Sequence, residues 1–289
     1  MTTRVISQRL TAEYELHKRN VFSQTGEDGI IEYFTKKIGV EAGYFVEFGA
    51  WDGKHLSNCA YLAQKGWSGC FIEGDSERFL DLVSNYGDND RIAKLNRFVM
   101  PQGEDSLDFL LPTVGAPSSI DVLSIDIDGY DYAVWEQLKR HLPRLVVVEY
   151  NPTISANVVY IQDEHDQTCF GNSLAAFWEL ALSKGYRLVA TTDWNAFFLS
   201  EQDCREYGIP DYAPWELHDN KFETYLFHGY NGQVKLAGDQ TIVWHGVNIP
   251  EQKVQILPKS LQKIPVGQPD EFFTALAKFK EDPANAADK

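Results

Sequence analysis

Short, nearly continuous apolar runs alternate along the chain with segments whose apolar residues recur at helical spacing. The first run is Tyr44-Phe45-Val46-Glu47-Phe48-Gly49, followed by a helical stretch from about His55 to Lys65. Gly69-Cys70-Phe71-Ile72-Glu73 is a second run, with a helix at Ser76 to Asn85 and a weaker strand at Arg91 to Val99. Ser106 to Leu111 reads as helix, Ile120 to Asp126 as strand, Tyr132 to Arg140 as helix and Leu145 to Tyr150 as a further buried strand. Leu174 to Lys184 is helical, Tyr186 to Thr192 a strand and Ala196 to Leu199 one more. Strands that are apolar throughout need cover on both faces, so the pattern predicts an α/β fold with a mostly parallel sheet. Such sheets bind ligands outside the carboxyl ends of their strands. Gly26 to Lys37 is expected as a helix over the sheet edge. Beyond about Gln202 the pattern gives way to aromatic-rich turns, a hairpin near Tyr225 to His245, a helix at Glu271 to Phe279 and a frayed end from Glu281. The expected division is a ligand-binding domain over 1–200 and a C-terminal extension over 201–289 for substrate or oligomer contacts, a homo-oligomer being one arrangement open to it.

Composition narrows the class. The 289 residues carry 26 Lys+Arg against 42 Asp+Glu, a net charge of −16, which argues against binding a phosphate backbone. No apolar run reaches the roughly 18 residues of a membrane span, and Met1 to Leu10 lacks the apolar core of a signal peptide. Cys59, Cys70, Cys169 and Cys204 show neither a CxxC nor a zinc spacing and are expected as reduced thiols of a cytoplasmic protein. The expected partner is a small molecule or glycan, with no nucleic acid and no membrane.

The first strand ends in Glu47-Phe48-Gly49-Ala50-Trp51-Asp52-Gly53. Two glycines permit a tight turn that a ligand can approach, but neither GxGxxG nor GK[ST] is present. Glu47 would repel a pyrophosphate, whereas S-adenosylmethionine, with its ammonium and sulfonium, meets that electrostatic demand. Glu73 ends the second strand, where an acid can accept hydrogen bonds from both ribose hydroxyls.

These residues carry a resemblance. Phe22-Ser23-Gln24-Thr25-Gly26-Glu27-Asp28-Gly29, Phe45 to Gly53, Phe71-Ile72-Glu73-Gly74-Asp75 and Leu123-Ser124-Ile125-Asp126-Ile127-Asp128-Gly129 resemble the FkbM-like S-adenosylmethionine-dependent methyltransferases, over about Val21 to Phe198. The resemblance implies a Rossmann-like class I methyltransferase fold with a seven-stranded sheet, and members that often act on sugars in glycans or antibiotics. Where the family pattern has Asp-x-Glu-Gly this chain has Asp126-Ile127-Asp128-Gly129, which keeps the acid and shortens its reach. By resemblance Glu47, Gly49, Asp52 and Gly53 line the methionine part of the cofactor, Glu73 the ribose, and Asp126 adjoins it. Ser23 and Gln24 either close over the methionine carboxylate or cap the helix ahead of Glu27.

Asp126, Asp128, Glu149 and Asn151 come from two neighbouring strand ends. The spacing is not that of a calcium loop, since its glycine falls early and no closing Glu follows. Crowded carboxylates repel unless protonated or neutralised by a cation, and oxygen donors favour Mg2+, Mn2+ or Ca2+ over zinc. The arrangement is similar to metal-assisted O-methyltransferases, in which the metal lowers the pKa of the acceptor hydroxyl. Against this stands a plainer assignment in which Asp126 bonds a loop, Asp128 and Asp131 cap a helix and Asn151 turns the chain before Pro152. The long segment after Asn151 reads as a lid, and His165 within it is either a general base or a solvated lid residue. His55, Trp51 and Trp194 flank strand ends. The expected function is methyl transfer from S-adenosylmethionine to a sugar hydroxyl, with Asp126, Asp128 and His165 as catalytic candidates and Mg2+ or Mn2+ assisting. A metal-independent methyltransferase with an Asp or His base, and a non-catalytic nucleotide-binding assembly protein, are the alternatives.

Overall fold

The computed structural model describes residues 4–7, 9–163, 168–263, 266–267 and 269–285. The chain divides into two compact units, Gln8–Asp219 and Met1–Ser7 with Asn220–Lys289. In the larger unit, β1 (Tyr44–Phe48), β2 (Ser68–Glu73), β3 (Ile92–Asn96), β4 (Ser119–Ile125), β5 (Leu142–Glu149), β6 (Tyr186–Thr191) and β7 (Asn195–Ser200) form one sheet. Its order is β3-β2-β1-β4-β5-β7-β6, parallel except for β7, which runs antiparallel to both neighbours. This is the expected Rossmann-like class I methyltransferase fold, with the strand order reversing beside β1. Phe45, Val46, Ile120, Val122, Leu123 and Leu145 to Val148 are all fully buried, so both faces of the sheet are covered. That double burial explains why these strands read as continuous apolar runs rather than alternating ones.

α1 (Glu27–Lys37) precedes the first strand, and α2 (Ala60–Gln64), α3 (Ser76–Tyr86), α4 (Leu107–Thr113), α5 (Asp131–Gln137) and α6 (Leu174–Ser183) connect the strands. Asp75 caps α3 by accepting from the Glu77 and Arg78 amides, and Ser173 caps α6 through the Ala176 amide. The helix expected from His55 is a five-residue helix beginning at Ala60. Residues 54–59 instead wrap the end of β1, with Leu56 held at φ +55°. α7 (Glu201–Tyr207) and α8 (Pro214–Leu217) complete this unit. The smaller unit contains β8 (Thr224–His228) paired with β9 (Val234–Gly238), a two-residue pair β10 (Thr241–Ile242) and β11 (Val247–Asn248), and α9 (Pro269–Glu281). The single hairpin expected over Tyr225 to His245 is therefore two. Among the described residues no helix is long and apolar enough to cross a membrane.

Candidate functional site

Strand register brings the predicted acids together. Phe48 pairs with Ile72 on one side and Ile125 on the other, and Ile125 pairs with Val148. The residues one step further, Glu73, Gly49, Asp126 and Glu149, form one row across the carboxyl ends of β2, β1, β4 and β5. Gly49 at φ +74° lets the first strand turn inside this row: a Cβ there would stand 1.6 Å from the Asp126 carbonyl oxygen.

Glu73 is 5% exposed, and its two oxygens each accept one backbone amide, Oε2 from Trp51 and Oε1 from Asp75, both at 2.7 Å. A carboxylate offers about four acceptor positions, so each oxygen retains capacity for a further donor such as a ribose hydroxyl. The Trp51 bond anchors a strained residue, since Trp51 holds φ +50°. Its ring is covered by the Arg78 guanidinium at 3.6 Å and meets the exposed His55 edge-on.

Glu47, assigned from the sequence to the methionine end, is committed to the protein itself. Its oxygens accept from Ser57 Oγ at 2.7 Å, the Asn58 amide at 2.9 Å and the Cys59 amide at 3.1 Å, tying the 50–59 loop to β1. Burial pushes this carboxyl up to about 7 against the lowering effect of those three bonds. Asp52 accepts from the Lys54 and His55 amides and shapes the turn. Gly53, at φ +73°, lies against Leu82 and Tyr86 of α3, and its carbonyl accepts from the Tyr86 hydroxyl. Ser23 forms a reciprocal pair with Asp28, donating through Oγ and accepting the Asp28 amide, ahead of a helix whose N-cap residue is Gly26. Gln24 is half-buried, and its carbonyl accepts from Asn20 Nδ2. Glu27, fully buried, ties the start of α1 to Thr192 Oγ1 at 2.6 Å and Asn195 Nδ2 at 3.3 Å.

On the other side of the row, carboxylate oxygens of Asp126, Asp128 and Glu149 lie within 4.8 Å of one another. Burial first, then the charges of Glu149, Asp131 and Asp128, push Asp126 well above the ordinary carboxylate range. Burial and the neighbouring acids push Glu149 up to about 8. The two carboxyls interact directly, so they titrate as a pair rather than as independent acids. Asp128 is exposed and sits at φ +56°, a left-handed position occupied here without glycine.

Two further predicted neighbours have other duties. Asp131 accepts from the Ile127 and Gly129 amides and closes the loop below the cluster, outside it as expected. Asn151 accepts twice at Oδ1, from the Thr153 amide and hydroxyl, and donates from Nδ2 to the Phe170 carbonyl. Both lone pairs of its carbonyl oxygen are thereby engaged, so in this arrangement it offers no free donor to a cation. The oxygen set is thus three carboxylates from β4 and β5.

His165 lies outside the described residues. The flanking segment is built rather than loose: Gln162 is 7% exposed, its Oε1 accepts the Phe170 and Gly171 amides, and Asn172 Nδ2 donates to the Gly129 carbonyl beneath the acidic loop. The residues that sequence reasoning missed are Ser57, Asn58, Cys59 and Gln162. Asn58 and Cys59 act through backbone amides, which carry no residue-type signal.

No protein-family model matches the chain, and no curated protein does. Solved structures to which it is similar include the N-terminal domain of EvdMO1 with SAH bound, at 13% identity over 65% of this chain and 83% of that one, with a TM-score of 0.38. A SAM-dependent methyltransferase from Aquifex aeolicus is 13% identical over 58% of this chain and 87% of that one, TM-score 0.36. The methyltransferase domain of bacterial CtHen1-C is 14% identical over 60% and 96%, TM-score 0.39.

Proposed function

We propose that the chain is a cytoplasmic S-adenosylmethionine-dependent O-methyltransferase of the FkbM-like kind, acting on a hydroxyl of a sugar or sugar-derived metabolite with Mg2+ or Mn2+ assisting. The observation that carries this reading is the single row of strand ends, with Glu73 on one side of the Gly49 turn and the three carboxylates on the other. A nucleoside held by Glu73 at the switch in strand order directs its other end across Gly49 toward Asp126 and Glu149.

The donor set suits a hard divalent cation. It consists of oxygens alone, it is crowded, and its half-buried members Asp126 and Glu149 have no cationic side chain beside them among the described residues, as their raised pKa values reflect. When bound, S-adenosylmethionine supplies a methyl group on a sulfonium, and a cation on Asp126, Asp128 and Glu149 would lower the pKa of the acceptor hydroxyl. The chain's own contribution is positioning and proton handling. Glu73 fixes the nucleoside through its ribose, and the Gly49 turn leaves room for close approach. The Asp126–Glu149 pair accepts a hydrogen bond from the acceptor hydroxyl and takes its proton as the C–O bond forms and the C–S bond breaks. In-line alignment of the two partners can supply several kcal/mol, on the order of 7–11 at the upper limit.

A second reading needs no metal. With Glu149 pushed up to about 8, the pair is itself matched to general-base work near neutral pH. The test is release of S-adenosylhomocysteine over a panel of hydroxylated sugars, in EDTA and with Mn2+ restored. Chelator-sensitive turnover, with Asp128→Asn raising the Mn2+ requirement at unchanged S-adenosylhomocysteine affinity, supports the metal reading. Full activity in EDTA leaves the pair as base. No thermal stabilisation by S-adenosylhomocysteine overturns the methyltransferase reading.

A further inference from the structure

A separate cavity of about 550 Å3 lies at the opposite edge of the sheet, where β1 and β2 begin. Its walls include Tyr61, Leu62 and Trp67 on the apolar side and Glu32, Lys36 and Lys65 on the polar side. The length of β1 alone, five residues at about 3.3 Å each, separates it by roughly 16 Å from the Glu73–Asp126 row. This volume falls in the range of small-molecule sites, about 300–1,000 Å3.

The charged side chains that line it, Lys36 and Lys65 against Glu32 and Glu41, balance, and Arg19, paired with Glu32 beside the wall, adds one positive charge. One carboxylate, Glu32, serves three cations: Arg19 Nη2 at 2.7 Å, Lys36 Nζ at 2.9 Å and Lys65 Nζ at 3.6 Å. Among the described residues none of the three has another ion-pair partner, in a chain of net charge −16. Glu41, the other acid of the wall, is exposed, and its carbonyl accepts from the Trp67 indole, which fixes that ring. Arg19 and Lys65 also stand over the Tyr61 ring, at 4.9 and 5.2 Å from its centre. Three cations gathered on Glu32, with exposed Glu41 the only other acid of the wall, leave a net positive charge beside an aromatic wall. Glu32 is ionised throughout the working range: burial alone would raise its pKa, but the hydrogen bonds and charges of Arg19 and Lys36 hold it at about 2.

We propose that this cavity binds an organic anion, its phosphate-like headgroup paired with Arg19, Lys36 and Lys65 and its aromatic body laid against Tyr61, with Glu32 as the resident counter-ion that the ligand competes against. The competition gives the proposal an unusual sign. Removing an acid from an ion-pair cluster ordinarily weakens the cluster, whereas here Glu32→Gln frees three donors for the ligand.

Titration calorimetry on the full chain with phenyl phosphate tests it, with inorganic phosphate and phenol as the two halves. The expected result is saturable 1:1 binding of phenyl phosphate, tighter than either half. Lys65→Gln and Arg19→Gln should each weaken it by about tenfold, the loss of one charge-assisted bond. Glu32→Gln should tighten it by roughly two- to fivefold, the scale of an exposed ion pair removed from competition. Circular dichroism identifies a variant that does not fold, and Lys36→Gln, at a side chain 67% exposed, then takes its place. Phenol binding as well as phenyl phosphate, weaker binding in Glu32→Gln, or no saturable heat in either wild type or Glu32→Gln would each overturn the proposal.

Discussion

Three glycines separate the cost of backbone strain from the cost of contact. Gly103, Gly53 and Gly49 all have φ in the left-handed region, at +85°, +73° and +74°. An alanine at any of them carries the same local penalty, about 1–2 kcal/mol. They differ in what the new methyl group meets. At Gly103 nothing lies within 4 Å, so Gly103→Ala should cost that penalty alone. At Gly53 the nearest atoms are Leu82 Cδ1 at 2.6 Å and Tyr86 Cε2 at 2.7 Å, side-chain atoms that can yield at the expense of packing. Overpacking adds about 1–3 kcal/mol, for a total near 2–5. At Gly49 the contact is the Asp126 carbonyl oxygen at 1.6 Å with its carbon at 2.8 Å, backbone held directly beyond the last rung of β1 and β4 that cannot rotate away like a side chain. Relief requires β1 and β4 to separate at their last rung, so Gly49→Ala should exceed about 5 kcal/mol, a large fraction of a typical domain's total stability. Urea unfolding of the three variants at one pH measures the series, and the order Gly103, Gly53, Gly49 is expected. A Gly49→Ala protein within about 1 kcal/mol of Gly103→Ala would show that the row of strand ends is not packed as described.

Glu73→Ala should lower affinity for S-adenosylhomocysteine by about 10- to 100-fold, as loss of a charged acceptor predicts, while Glu73→Gln, which keeps one carbonyl oxygen, should lose less. Calorimetry giving equal losses for the two would place the nucleoside elsewhere. Glu47 makes stability depend on pH with a definite sign. Its folded pKa of about 7 lies above the ordinary 4.5, so the folded state holds the proton more tightly and stability falls as pH rises between those values. The full span is about 3 kcal/mol, and Glu47→Gln should remove that share of the slope between pH 4.5 and 7 in denaturant titrations. Identical slopes in variant and wild type would mean that Glu47 is better solvated than its burial implies.

Most of the sheet was legible because parallel strands buried on both faces read as unbroken apolar runs. The orientation of β7 was not, although a physical clue was present. Only Thr192, Asp193 and Trp194 join β6 to β7, far too few residues for a parallel crossover, so the pair must be a hairpin. The helix expected from His55 failed for a different reason. Residues 55–59 are polar enough for the exposed start of a helix, but their amides are drawn to the buried Glu47 carboxylate instead.

That second case bears on how acids at strand ends should be interpreted. Spacing placed Glu47, Glu73, Asp126, Asp128, Asp131 and Glu149 near one edge, and the structure does so too. What spacing could not separate is an acid that builds the edge from one that faces a ligand, because the competing donors are backbone amides of loops. Glu47 takes two such amides and a hydroxyl, and Asp131 takes two amides. Each is satisfied by its own chain, and each shapes a loop. Among the described residues no backbone amide reaches the carboxylates of Asp126, Asp128 or Glu149, and the first and last of these hold their protons more tightly than ordinary acids. Crowded carboxylates without donors are costly in proportion to their burial, so half-buried Asp126 and Glu149, with exposed Asp128 beside them, retain the strongest demand for a cation or a proton from outside the chain. Glu73 falls between the groups, with one amide on each oxygen and room for one more donor on each. Ranked by unmet hydrogen-bonding capacity, the carboxylates of the row divide into loop builders, a nucleoside acceptor and a cation or proton site.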